Sequence, residues 1–233
     1  MKVMKLFIIS VFLLIAGPLA AAQPPQKVQI VFAVTSGSMR LGEGRDFLEH
    51  DGKKYSVISE TKTVGVAALF YKLNVRRESR GLLTAGGLRP LLFEENNSRK
   101  PKRAAEFDWD SGEIKLTDGD KTEVVPLKTN TFDPTSLPYI FAFAQSNQES
   151  MKVFIADGRR LADYEYKIIG KETLKTPLGE METLHFQKVQ DADDKRGLEF
   201  WLSVERHFLP VKIRFVDKNG TVVDSTVTSI AFQ

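Results

Sequence analysis

The sequence contains no cysteine. That excludes a disulfide framework, a thiolate nucleophile, a thiolate metal site and acylation at an N-terminal cysteine, so stability has to come from a packed core. Histidine is nearly as scarce, with only His50, His185 and His207. No two of them stand at zinc spacing on a helix, so no metal site and no cofactor are expected. Net charge is small too. Lys and Arg total 33 against 30 Asp and Glu, which removes the electrostatic basis for holding nucleic acid. A G-x-S-x-G nucleophile elbow is also missing; Gly37-Ser38 and Ser111-Gly112 do not supply one. Nor does any apolar run reach the roughly 20 residues that cross a bilayer.

The first residues are the most directive part of what is there. Lys2 and Lys5 precede an apolar run from Leu6 to Ala16, Gly17-Pro18 interrupt it, and Ala20-Ala21-Ala22 offer small residues for cleavage before Gln23. The pattern predicts a cleavable signal peptide over 1–22, and a single exported β-rich domain over 23–233 in the periplasm with no stable membrane anchor. Cleavage removes two lysines and no acid, leaving a formal charge of +1 on the mature domain.

Beyond the signal the dominant period is two, which is the strand period. Val28, Ile30, Phe32 and Val34 alternate before a turn at Thr35 to Ser38; Met39 to Glu49 and Lys54 to Thr61 flank an Asp-Gly hairpin at Asp51-Gly52. Val64 to Tyr71 reads as a short helix capped by Thr63. Lys72 to Thr84 and Leu88 to Asn96 surround Ala85-Gly86-Gly87, and Lys102 to Asp110, Glu113 to Leu116 and Thr122 to Leu127 continue as hairpins. A second helix is expected from Asp133-Pro134, with Leu137, Ile140, Phe141 and Ala144 on one face and Pro138 resetting or kinking its start. From Met151 onward the pattern is strand after strand: Met151 to Ala156, Leu161 to Thr173, Met181 to Gln190, Gly197 to Val204, Pro210 to Asp217 and Thr221 to Phe232. The fold class is therefore mainly β. A large curved antiparallel sheet, a half-barrel or open barrel with one or two short covering helices, accommodates so many consecutive strands.

Six fragments in order carry a resemblance over nearly the whole mature chain: TVGVAALFYKLNVRRESRGLLTAGGLRPLLFEE (63–95), AEFDWDSGEI (105–114), FDPTSLPYIFAF (132–143), ADGRRLADYEY (156–166), TPLGEMETL (176–184) and EFWLSVERHFLPVKIRF (199–215). Together they resemble a bacterial exported family, domain of unknown function 3108, which implies an envelope location and no known activity or catalytic residue. More distantly, Gly179, Trp201 and Leu209-Pro210-Val211 are similar to the pattern of periplasmic half-barrel carriers of lipoproteins or lipids.

No catalytic residue is assigned. Glu94-Glu95, Asp108 with Asp110, and Asp191, Asp193 and Asp194 are the carboxylates that could serve a glycosidase, but strand neighbours point to opposite faces, and 191–195 reads as a charged loop without calcium-loop spacing. The cluster of Arg99, Lys100, Lys102 and Arg103, with Arg76, Arg77 and Arg80 nearby, offers contacts to phosphorylated lipid headgroups or an acidic partner; a solvated hairpin tip is the plainer account. Phe32, Phe93, Phe107, Trp109, Phe186, Phe200 and Phe215 are expected on a common concave face, where they fill the core or line an apolar cavity. Trp201, beside Phe200, is expected under a covering segment or at a cavity rim. Phe93, Phe107, Trp109, Phe200 and Trp201 are accordingly the candidate ligand-binding residues.

Three functions follow in order: a non-enzymatic periplasmic binder or carrier of a lipid or other apolar small molecule; a structural or interaction protein with a filled core that meets an envelope protein; and, last, an enzyme acting on envelope polymers.

Overall fold

A computed structural model describes residues 24–144, 149–190 and 196–233; the expected signal peptide and the Asp191, Asp193 and Asp194 loop lie outside them. The chain forms β1 (Lys27–Ser36), β2 (Met39–His50), β3 (Lys54–Thr63), α1 (Gly65–Phe70), β4 (Asn74–Thr84), β5 (Gly87–Asn97), β6 (Lys100–Asp108), β7 (Glu113–Asp118) and β8 (Lys121–Pro126). There follow β9 (Thr131–Phe132), a 3-10 turn at Leu137–Tyr139, α2 (Ile140–Phe143), β10 (Ser150–Ala156), β11 (Leu161–Thr176), β12 (Gly179–Lys188), β13 (Gly197–Ser203), β14 (Leu209–Val216) and β15 (Val222–Phe232).

All 15 strands belong to one sheet, ordered β8 through β1, then β15 down to β9. Successive strands pair as hairpins, and the first and last strands meet at the centre, where Val28 lies opposite Phe232 and Ile30 opposite Ile230. Every pairing is antiparallel except the two-residue match of β9 with β10. Bulges that insert Thr228 in β15, Leu91 in β5, Ile169 in β11 and Val211 in β14 coil the sheet into an open half-barrel. Its open side narrows where the β10–β11 turn meets β6. Gly158 there has φ +82°, and a Cβ on it would stand 2.8 Å from the Ala104 nitrogen and Arg103 Cβ, so the turn tolerates only glycine.

The period-two pattern places Val28, Ile30, Phe32 and Val34 inward, all buried. What covers this concave face is the segment from Thr131 to Phe143. Instead of one capped helix it forms a 3-10 turn followed by a single α-turn, because Pro138 occupies the start and supplies no N–H. Leu137, Tyr139, Ile140 and Phe141 are all buried. Phe141 meets Phe186 edge-on at 4.7 Å, and Phe186 stacks on Tyr166 at 5.2 Å. A second cluster of Phe93, Ala105, Phe107, Ile114 and Leu116 takes in Ala156 from across the open side.

The other predicted helix forms, but Thr63 does not cap it. Val64 occupies the cap position without a side-chain bond, while the Thr63 hydroxyl accepts from the Leu73 N–H at 3.0 Å and closes the base of the excursion.

Candidate functional site

Strand register builds a polar row on the concave face. Asp46 of β2 lies opposite Ser59 of β3, Ser59 opposite Arg77, Arg77 opposite Glu95, Glu95 opposite Arg103, and Arg103 opposite Asp118 of β7. Residues directly opposite share a face and their side chains meet. Arg77 Nε donates to Glu95 Oε2 at 2.6 Å, Arg103 Nε to Asp118 Oδ1 at 2.9 Å, and Arg103 stands 3.9 Å from Glu95. The next row, Leu48, Val57, Ser79, Phe93, Ala105 and Leu116, is apolar except for Ser79.

The covering segment is fastened to these rows by its own polar groups. Asp133 Oδ1 accepts from the N–H groups of Thr135 (2.8 Å) and Ser136 (2.9 Å), the cap role its position predicts, although no long helix follows. Its Oδ2 accepts from the hydroxyls of Ser79 (2.6 Å) and Ser136 (2.9 Å), and the Tyr55 hydroxyl reaches Ser79 at 3.0 Å. Six residues on, the Tyr139 hydroxyl donates to Asp46 Oδ2 at 2.6 Å. Burial raises the carboxyl groups of Asp46 and Asp133 above the usual range, against the opposing pull of these hydrogen bonds. The same burial, with a carboxylate beside it, pushes the Tyr139 hydroxyl well up. A buried acid of raised pKa suits general acid chemistry only where substrate can reach it. Here both carboxyls are covered and committed to the covering segment, so the constellation acts as a lock between segment and sheet.

The five candidate ligand-binding aromatics fall into two groups. Phe93 and Phe107 are buried in the second cluster with Trp109 packed against it, while Phe200 and Trp201 belong to the main cluster from opposite sides of β13. Adjacent strand residues alternate faces, and Trp201 is buried there by stacking on His185 at 4.3 Å, by the Lys212 ammonium at 4.7 Å and by donating to Glu172. Phe215, opposite Leu198, shares the face of Phe200 and Ile213 as expected, but near the end of β14 it is 45% exposed at the rim. Trp109 lies beyond β6. Its indole donates to the Pro90 carbonyl at 2.6 Å, the Arg89 guanidinium sits 4.7 Å over its ring, and it borders an open outer groove of about 730 Å³ with Leu91, Leu92, Val124 and Lys115.

The basic cluster also divides. Arg99 and Lys100 are exposed at the β5–β6 turn, Lys102 is held 2.7 Å from Glu94, and Arg103 turns inward to the polar row. Of the acid candidates, Glu94 and Glu95 are therefore in ion pairs. Asp108 accepts from the N–H groups of Ser111 and Asp110 at 3.0 Å each, and chiefly the Ser111 N–H holds its carboxyl below the usual range. His185 lies between Glu199 (2.8 Å) and Glu172 (3.3 Å), and His50 contacts the Pro24 carbonyl at 2.9 Å. Sequence reasoning missed Asp46, Ser79 and Tyr139. The available signal was polarity at an inward position, since Asp46 shares its strand face with Leu48.

Among solved structures, the chain is similar to a β-barrel-like protein of domain of unknown function DUF1849 from Brucella abortus, with a TM-score of 0.59, 10% identity, and coverage of 90% of this chain and 99% of that one. That likeness is one of fold. Two others are a protein described as exported with a YmcC-like fold from Bacteroides fragilis (TM-score 0.34, 11% identity, 90% and 98% covered) and one described as a lipoprotein from Parabacteroides distasonis (0.32, 13%, 89% and 97%). No curated protein matches. The family is shown by its model, which matches residues 31–227: the chain belongs to the family described as Protein of unknown function (DUF3108).

Proposed function

We propose that this is a non-enzymatic exported protein of the cell envelope that meets its partner through its outer surface, the half-barrel interior serving as its core. Export rests on the signal pattern of residues 1–22. The observation that carries the rest is the covering segment: Leu137, Tyr139, Ile140 and Phe141 occupy the concave face where a carrier would keep its ligand, and Asp133 and Tyr139 tie them down through buried hydrogen bonds. Gentle purification of the mature protein, organic extraction and mass spectrometry test this; the expected result is no stoichiometric lipid, and one lipid recovered per chain overturns it.

One observation favours a second reading, a binder of an apolar ligand. The outer groove combines Leu91, Leu92, Val124 and Trp109 with a rim on which the acids Glu106, Asp108, Asp110 and Glu113 outnumber Arg89 and Lys115, and Lys115 is paired with Glu106 at 2.9 Å, so its floor suits an acyl chain whose head is not acidic. Fluorescent fatty acyl probes should then bind, and Leu91→Glu with Trp109→Ala should abolish binding while Asp133→Asn leaves it intact. Absence of probe binding to the native protein ends that reading.

A further inference from the structure

We infer that the α1 end of the half-barrel docks reversibly on a bilayer bearing anionic headgroups. The inference deepens the outer-surface reading and rests on it, because it names the partner class. It starts from an anomaly of burial. α1 is the sequence GVAALF, and none of its six residues is buried. Val66 is 70% exposed, Leu69 81% and Phe70 86%, with half-exposed Tyr71 directly after them. The helix is an excursion between β3 and β4, pinned at its base where the Thr63 N–H donates to the Leu73 carbonyl at 3.1 Å and the Val64 N–H to that of Leu41 at 3.1 Å. Met39, two residues before Leu41, is 60% exposed and extends the patch. Scattered exposed apolar residues are ordinary, but five large ones gathered at one protruding end mark an interaction surface.

Charge identifies the partner. Lys62 and Lys72 flank the excursion, and Arg99 and Lys100 occupy the neighbouring β5–β6 turn. The Arg99 guanidinium lies 4.3 Å over the Tyr71 ring, joining that turn to the helix end. None of these four cations is in an ion pair among the described residues. Nearby acids are already held, Glu43 by Arg45 at 2.9 Å and Glu60 by Arg76 at 2.7 Å. An apolar tip ringed by uncompensated cations on long stems is complementary to a bilayer surface: Leu69 and Phe70 enter the acyl boundary while the Lys and Arg heads stay at the phosphates. A short tip of this kind has too little apolar length to span a membrane, so the contact is peripheral.

Vesicle flotation of the mature protein tests the inference, with phosphatidylcholine alone and with an equimolar phosphatidylcholine–phosphatidylglycerol mixture. The protein is expected to float with the anionic vesicles only, and less as salt is added. Leu69→Ser combined with Phe70→Ser should lower partitioning by about tenfold or more. Lys72→Gln and Lys100→Gln should each lower it roughly fivefold. All four positions are exposed, so thermal melts should match the native protein. No partitioning, partitioning indifferent to salt, or partitioning unchanged by the Leu69 and Phe70 changes overturns the inference. So does size-exclusion chromatography showing a dimer that Phe70→Ser converts to monomer, since the patch would then be a contact between copies. If vesicles are ignored and extraction yields no lipid, only the bilayer partner falls; if extraction yields one lipid per chain, it is the filled interior that falls.

Discussion

Replacing Asp133 gives a direct measure of how firmly the half-barrel is closed. The carboxylate accepts four hydrogen bonds, two from backbone N–H groups and two from hydroxyls. In Asp133→Ala the hydroxyls keep other partners: Ser79 retains Tyr55, and Ser136 retains the residue 133 backbone. The N–H groups of Thr135 and Ser136 lose theirs in a buried place. Two orphaned donors at roughly 1–3 kcal/mol each put the cost near 4 kcal/mol, equivalent to a fall in Tm of about 8–16 °C for a domain of this length. Asp133→Asn keeps the Oδ1 acceptor and faces hydroxyls that can turn to accept, so its cost at neutral pH should stay below about 1 kcal/mol. The two variants also differ from the native protein in pH dependence. Burial raises the folded pKa of Asp133 above its unfolded value, so its contribution is fully present below the unfolded pKa and is lost as pH rises through the folded one. The stability advantage of the native protein over Asp133→Asn should therefore grow on acidification. Urea denaturation followed by circular dichroism across a pH series reads all of this. Equal losses in the Ala and Asn variants, or an advantage that shrinks on acidification, would refute the lock.

Asp224 should behave in the opposite sense. Arg214 donates to it at 2.7 and 2.8 Å, and that hydrogen bonding holds its carboxyl below the usual range; the stability it contributes is present above the unfolded pKa and lost as pH falls through the folded one. Because the pair is partly exposed, Asp224→Asn should cost only about 0.5–1 kcal/mol at neutral pH, with the difference vanishing in strong acid. Gly81→Ala should be more severe, since its Cβ would collide with the Arg89 carbonyl and stand 2.7 Å from Tyr55 Cε1 at the β4–β5 bulge. Backbone cannot yield as a flexible side chain does, so about 3 kcal/mol is expected in the same denaturation assay; an unchanged midpoint would mean that the bulge is not held as described.

Strand after strand was legible because the inward alternation of Val28, Ile30, Phe32 and Val34, and turns such as Asp51-Gly52, are local patterns with a fixed period. The covering segment was half legible. Asp133-Pro134 announced a cap, and the cap exists, but the Oδ2 atom of the same carboxylate is used by Ser79 on a strand 54 residues away. The candidate site is legible only in part. Phe93, Phe107 and Phe200 are inward as alternation predicts, yet inward on a coiled sheet does not mean together: Phe93 and Phe107 gather with Trp109 in one cluster, and Phe200 with Trp201 in the other. Arg103 was grouped with Lys102 by proximity in sequence, whereas adjacent strand residues face opposite sides.

Composition and period-two alternation are properties of each strand alone, and they suffice to read a thiol-free, nearly neutral β protein built of hairpins. Tertiary structure decided the seam of β1 with β15, the row from Asp46 to Asp118 and the seating of Tyr139 on Asp46. Those depend on which residues of distant strands come opposite one another, and a register is a relation between segments that a single segment does not carry. The exposed face of α1 belongs to both: its apolar letters are plain in the sequence, and only the fold shows that none of the described residues buries them.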